Sequence, residues 1–187
     1  MSEPRTFPLR DGRSATLRPA SVSDAEASIE LDRVLARDGR GMVLTEAQVR
    51  SVADERLRID KMYAAWSAGD ATLLCFAEVP GIAGLAGSSS LQQLAPARCK
   101  HVGILAVGVH PATQRLGLGR ALMQYLIDHA RQYPELERLE LYVRNDNTRA
   151  RALYHSLGFT HEGTRQRFVK LEDGSYVDDL ILALWLR

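Results

Sequence analysis

One stretch constrains the fold of this 187-residue chain more than any other: Val107-Gly108-Val109-His110-Pro111-Ala112-Thr113-Gln114-Arg115-Leu116-Gly117-Leu118-Gly119-Arg120-Ala121-Leu122. A strand-like apolar run stops at Pro111, a short polar loop follows, and two glycines one residue apart open an amphipathic helix. Gly117 and Gly119 leave backbone N–H groups unshielded as that helix begins. The first amides of a helix have no intrahelical partner, and the macrodipole adds partial positive charge there, so the turn is a ready anion site. Arg115 and Arg120 add full charges on either side. A diphosphate fits these demands.

The spacing excludes the two common nucleotide loops. No Gly-x-x-x-x-Gly-Lys-Ser/Thr is present, and Leu122 stands where a dinucleotide fingerprint needs its third glycine. Gly81-x-x-Gly84-x-x-Gly87 lies inside a strand pattern with no helix after it, which points to close strand packing.

Periodicity and punctuation give the rest of the order. Ser14 to Arg18 reads as a strand stopped by Pro19, and a helix capped by Ser21 or Ser23 runs to about Arg37, broken at Asp38-Gly39. Thr45-Glu-Ala-Gln48 is a capping-box pattern predicting a helix with Val49, Val52, Ile59, Met62 and Trp66 on one face. Strands are predicted over Thr72–Glu78, Ile82 to about Leu91 and His101–Val109, the last near-continuously apolar and therefore central. Leu118 to about Gln132 is a helix burying Leu118, Leu122, Tyr125 and Leu126. Leu139–Val143 is a strand, Thr148–Leu157 a helix, and Thr160–Leu171 with Tyr176–Trp185 a hairpin around Asp173-Gly174. Leu180, Leu182, Leu184 and Leu186 alternate as one buried strand face. Trp66 and Trp185 read as core or interface residues. No repeat or linker divides the chain, so residues 1–187 are expected to form one domain.

Two segments carry a family resemblance. Gln114-Arg115-Leu116-Gly117-Leu118-Gly119 is similar to the Gln/Arg-x-x-Gly-x-Gly/Ala signature of the GNAT superfamily of N-acetyltransferases. Downstream, such proteins show an Asn at a strand-to-helix turn, a Tyr on the helix and Gly-Phe after it; Asn147, Tyr154, Gly158 and Phe159 match in order. More weakly, Thr16 to Ala25 resembles the family's opening, and Asp173 to Leu180 the closing hairpin of its amino-acid N-acyltransferase-like branch. The resemblance implies an α/β fold: a central mixed sheet of about seven strands flanked by helices, with two parallel strands splayed into an acetyl-CoA cleft. Those strands are here His101–Val109 and Leu139–Val143.

It also implies a site. Gln114 to Arg120, that is Gln114, Arg115, Leu116, Gly117, Leu118, Gly119 and Arg120, would hold the pyrophosphate of acetyl-CoA. Val107, Gly108 and Val109 would offer backbone groups to the pantetheine arm, much as a strand edge binds a peptide, with Gly108 easing a bulge that opens the strand. A strand N–H near Val107 would stabilise the oxyanion. Tyr154 is the expected acid for the departing thiolate. Asn147 either contacts pantetheine or caps the helix before Thr148. The base is not legible; Glu78 and His101 are the candidates. Asp178 and Asp179 are cast as contacts for a cationic amine.

Composition bounds the partners. A net charge of +1, with 45% hydrophobic and 25% charged residues, supports neither a nucleic-acid nor a membrane partner. Cys75 and Cys99 have no Cys-x-x-Cys or metal spacing, and the histidines His110, His129, His155 and His161 show no ligand spacing, so no metal is expected. Met1–Arg10 lacks an apolar h-region, and with the two unpaired cysteines this gives a cytoplasmic expectation. The resemblance implies a reaction that moves the acetyl group of acetyl-CoA to a primary amine, and its closing hairpin favours a small-molecule, amino-acid-like acceptor. The competing acceptors are a protein N-terminus or lysine, and the competing class is a non-catalytic acyl-CoA sensor. Arg37–Glu46 and Phe168–Asp179 are the segments expected to decide among acceptors. A homodimer is an expectation by resemblance.

Overall fold

The structure, a computed structural model, describes residues 3–41 and 43–187; Met42, within the predicted acceptor-deciding loop, lies outside them. The described strands form one eight-stranded sheet in the order β1-β2-β3-β4-β5-β6-β8-β7. They are β1 (Arg5–Pro8), β2 (Ser14–Pro19), β3 (Leu73–Glu78), β4 (Gly87–Gln93), β5 (Val102–Val109), β6 (Arg138–Arg144), β7 (Thr160–Lys170) and β8 (Tyr176–Trp185). The helices are α1 (Ala25–Asp38), α2 (Val52–Ser67), α3 (Leu118–Ala130) and α4 (Thr148–Ser156). The predicted mixed α/β sheet is observed, with β1 as an additional strand paired to β2.

The sheet is buried on both faces, and β3 shows why. Leu73, Cys75 and Ala77 point into the core under α3, with Leu91, Leu105, Leu118, Leu122, Leu126 and Leu139. Leu74 and Phe76 point the other way, against Ala25 and Leu31 of α1 and Ile59 of α2. Alternate residues of one strand therefore serve two cores, and the run reads as continuously apolar. In β8, Leu180 and Leu182 are buried on the α3 side, with Leu184 packed alongside.

Local chemistry sets the helix ends, with two departures from the sequence reading. Ser21 forms a capping box with Asp24, but it opens a short 3-10 turn, Val22–Asp24, that runs into α1. Gly39, at φ 66°, ends α1 in the left-handed conformation that glycine permits. The Thr45–Gln48 capping box closes only the 3-10 turn Glu46–Gln48; Val49 is extended, and α2 starts afresh at Ser51, whose hydroxyl accepts from the Asp54 amide. The second departure is at Ile82–Ala86. Gly81 (φ 84°) and Gly84 (φ 76°) make this a turn, and the strand begins only at Gly87. Gly87 alone of the three serves close packing: a Cβ there would lie 3.0 Å from Gly108 O and Leu122 Cδ1.

The feature that positions the site is the one parallel pair. β5 and β6 pair from Val102↔Arg138 to Leu105↔Leu141 and then part. β5 continues beside β4 to Val109↔Gly87, while β6 continues beside β8 to Arg144↔Asp179. The second half of β5 thus has a free edge in mid-sheet, and Ala106 is exposed there.

Candidate active site

The parting strands open a cleft of about 1920 Å³. Its donor half is built on the turn between β5 and α3. Thr113 is fully buried and its hydroxyl donates to Ala86 O (3.1 Å) and His110 O (3.0 Å), fixing the start of the turn. Gln114 Nε2 reaches Val109 O at 3.3 Å, and Gln114 Oε1 accepts from Arg149 of α4 at 2.8 Å. The turn closes through two left-handed residues, Arg115 (φ 66°) and Gly117 (φ 98°). The first is unusual for a residue with a side chain; the pairing of Leu116 O with the Arg10 amide (3.0 Å) braces it.

Gly117 is the N-cap of α3 and supplies no side-chain cap. The first helical hydrogen bond of α3 is Ala121 N to Gly117 O, at 3.1 Å. The amides of Leu118, Gly119 and Arg120 therefore have no acceptor among the described residues, as an anion site at a helix start requires. Gly119 also lines the cleft, and a Cβ there would lie 3.5 Å from Val109 Cγ2 and Leu153 Cδ2, two other lining residues. The residues present thus fit a diphosphate at this turn.

Across the opening, Asn147 Oδ1 accepts from the Ala150 amide at 3.2 Å and caps α4, while its Nδ2 has no partner among the described residues. Two turns further, Tyr154 is 7% exposed and stacks edge-on against Phe159. Its hydroxyl has no hydrogen-bond partner among the described residues, and Tyr154 is one of the residues that line the cleft. Burial pushes this phenol up to about 12, so it stays protonated at neutral pH.

The other half of the cleft lies under α1. Leu35 covers Gly108 so closely that a Cβ at 108 would meet Leu35 Cδ1 at 2.5 Å. Gly108 is therefore small for helix packing, and the β4–β5 register runs through it without the predicted bulge. Arg144 Nη1 donates to Gly39 O at 2.7 Å and ties the α1 exit over the end of β6. Arg165 of β7 forms the far wall, sandwiched between Tyr142 (4.3 Å) and Phe168 (3.8 Å) and paired with buried Asp179.

The strand end Val107–Val109, the turn Gln114–Gly117, Gly119, Arg120, Asn147 and Tyr154 all come to one cleft. Leu118 contributes only its backbone, since its side chain is core. Glu78 and His101 are not brought there. Glu78 is gripped by Arg18 (2.6 Å), which also holds Asp24, and His101 lies at the opposite end of β5, where its carbonyl binds the Glu137 and Arg138 amides. Asp178 accepts from the Arg167 amide (2.7 Å), and buried Asp179 is paired with Arg165. Trp185 is 57% exposed beneath Arg138. Arg144, Arg165 and Asp32 of the cleft wall have no sequence signal: each reaches the site through contacts far apart in the chain.

The model of the acetyltransferase (GNAT) family matches residues 43–159. The chain belongs to the GNAT acetyltransferase family. It is 43% identical over 83 residues to the ribosomal protein bS18-alanine N-acetyltransferase of Escherichia coli strain K12, across 42% of this chain and 51% of that protein. It is 38% identical over 90 residues to the N-alpha-acetyltransferase RimI of Mycobacterium tuberculosis, across 48% and 52%. The matches span about half the length of these relatives. In fold, this GNAT chain is similar to a GNAT-family acetyltransferase from Streptococcus pneumoniae (TM-score 0.82, 24% identity, 91% of this chain and 99% of that one). It is also similar to YncA of Salmonella typhimurium, solved with its cofactor acetyl-CoA (TM-score 0.78, 23% identity, 92% and 94%). Among the described residues no helix is long and apolar enough to cross a membrane.

Proposed function

We propose that residues 1–187 act as one N-acetyltransferase domain that moves the acetyl group of acetyl-CoA to a primary amine by direct attack through a tetrahedral intermediate. The observation that carries this is the convergence, at one end of the sheet, of three features. These are the free β5 edge beyond Leu105, the uncapped glycine start of α3, and the unpartnered Tyr154 hydroxyl.

The division of labour follows from the groups themselves. The amides of Gly119 and Arg120, with the Arg115 and Arg120 charges, hold the pyrophosphate. The Val107 and Val109 backbones, on the edge that β6 leaves free, bind the amide-rich pantetheine, with Gly108 between them, and a strand N–H near Val107 supplies the oxyanion donor. Asn147 caps α4 with its oxygen and offers its Nδ2 to the same arm. Tyr154 gives its proton to the sulfur as the C–S bond breaks. The burial that holds this phenol protonated also raises the proton affinity of a thiolate expelled beside it, so the transfer is better balanced than in water.

The acceptor is proposed to be a small amino-acid-like amine. The closing hairpin's resemblance to the amino-acid N-acyltransferase-like branch supports it, and the Tyr142 and Phe168 rings on either side of the Arg165–Asp179 pair give the far wall apolar surface. Similarity to the ribosomal protein bS18-alanine N-acetyltransferase and to the N-alpha-acetyltransferase RimI, each over about half its length, favours a second reading, the N-terminal amine of a protein. The two unpaired thiols, one buried, fit a reducing cytoplasm. Free-thiol release from acetyl-CoA against amino acids, polyamines and alanine-led peptides tests the proposal. Turnover with free amino acids supports the first acceptor, and turnover confined to peptides the second. Binding of acetyl-CoA without turnover of any amine overturns the enzyme in favour of a sensor module.

A further inference from the structure

Most carboxylates that line the cleft already have partners. Asp38 is held by Arg40, Glu46 by Arg37, Asp146 by Arg144 and Asp179 by Arg165. Those of the β7–β8 turn are exposed. Asp32 of α1 is different. Its side chain is 17% exposed, it accepts no hydrogen bond from the described residues, and its one ion-pair contact is Arg50 Nη1 at 3.5 Å. Arg50 is shared with Glu55, 3.3 Å away. Glu55 is fully buried and takes the other local donors: Arg58 through Nε (2.8 Å) and Nη2 (2.6 Å), and the Ser28 hydroxyl (2.8 Å).

A half-buried carboxylate held only by a long ion pair to a shared arginine keeps most of its acceptor capacity for a cation or water. Asp32 belongs to the cleft wall, and Leu35, one helical turn on, covers Gly108 at the free end of β5. Asp32 thus lines the α1 side of the cleft, across the sheet from α3. Burial and the neighbouring Glu55 charge push the Asp32 carboxyl up, against the pull of Arg50 and Arg58, which makes it a stronger base than a surface aspartate.

We propose that Asp32 receives the acceptor as an alkylammonium group and takes a proton from it, freeing the nitrogen lone pair for attack. This deepens the acetyltransferase reading and rests on it. The lone pair forms the C–N bond, the C–S pair leaves with sulfur, and sulfur takes the Tyr154 proton. Two protons leave the nitrogen in all: Asp32 passes one to water, and the other restores Tyr154 through solvent. The substrate class is therefore an aliphatic amine that is charged at neutral pH, rather than an arylamine that arrives neutral.

Asp32→Asn is the test, because the amide keeps the shape and removes the like charge beside Glu55. With the best alkylamine of the panel, kcat/KM should fall by about 100-fold or more. The acetyl-CoA Kd should stay within about twofold, and Tm should not fall. The acidic limb of the kcat/KM profile should disappear as well; the charged groups facing Asp32 are Glu55 and Arg58 of α2 and Arg50 just before it. Turnover within about threefold of the parent overturns the proposal. So does a loss of activity matched by a lower Tm and weaker acetyl-CoA binding. A second readout needs no turnover: the Asp32 carboxyl carbon resonance of the CoA-bound protein, titrated with the same amines. A shift with alkylamines is expected, and no shift with any of them overturns the proposal even where thiol is released. A shift without thiol release instead defeats the acetyltransferase reading and leaves Asp32 an amine-binding group.

Discussion

Replacing Gly119 by alanine separates ligand binding from folding. Gly119 is the second residue of α3, and its φ lies outside the left-handed region. A Cβ would meet Val109 Cγ2 and Leu153 Cδ2 at 3.5 Å, ordinary contact distances. Alanine therefore fits the protein, and a helical Gly→Ala change stabilises by about 0.5–1 kcal/mol. That raises Tm by roughly 1–4 °C for a chain of this size. The same Cβ would stand on the cleft lining beside the uncapped amides. Losing one charge-assisted hydrogen bond costs about 1.5–3 kcal/mol, or roughly 10- to 150-fold in Kd. Calorimetric titration with acetyl-CoA beside a thermal melt reads both effects. Gly87→Ala is the contrast: its Cβ would lie 3.0 Å from a backbone oxygen, so it should lower Tm even without ligand. If Gly119→Ala binds acetyl-CoA as tightly as the parent, phosphates do not sit at this helix start and the donor-site reasoning fails.

Two further outcomes follow from the buried groups. Tyr154→Phe should reduce kcat by roughly 100-fold while acetyl-CoA affinity and Tm change little, since the hydroxyl has no protein partner; stopped-flow and steady-state thiol release check it. Stability should also fall with rising pH from about 9 to about 12. Burial pushes the Cys75 thiol from 9.0 up to about 12 and the Tyr154 phenol from 10.0 up to about 12. In that window the unfolded chain loses protons that the folded chain keeps, so the slope is negative, up to about 1.4 kcal/mol per pH unit for each group. Urea melts across this range should show a shallower decline for Cys75→Ala, and an identical decline would refute the buried-thiol account.

Local chemistry made much of this fold legible. The α3 start was readable because glycine at 117 and 119 has few structural uses besides a left-handed cap and an open backbone. Strand β3 was readable because its five apolar residues in a row, set between Gly69-Asp70 and Pro80-Gly81, are too short for a buried helix and suit a strand covered on both faces. The capping box at Thr45 misled because a box satisfies a 3-10 turn as well as a helix, and extended Val49 decides between them. Gly108 misled in the same way: its smallness serves Leu35 of α1, a contact that no local pattern encodes. Glu78 was a reasonable base by its place at a strand end, but Arg18, distant in sequence, claims it. Asp32 was invisible for the converse reason. Its significance lies in the donors that Glu55 has already taken, which only the packed α1–α2 pair shows.

The most direct test of the central claim is a crystal structure of this chain with acetyl-CoA. Pantetheine is expected along the Ala106–Val109 edge, pyrophosphate oxygens on the Gly119 and Arg120 amides, and the sulfur within hydrogen-bond reach of the Tyr154 hydroxyl. A ligand bound elsewhere, or β5 and β6 closed together beyond Leu105 and Leu141, would contradict it.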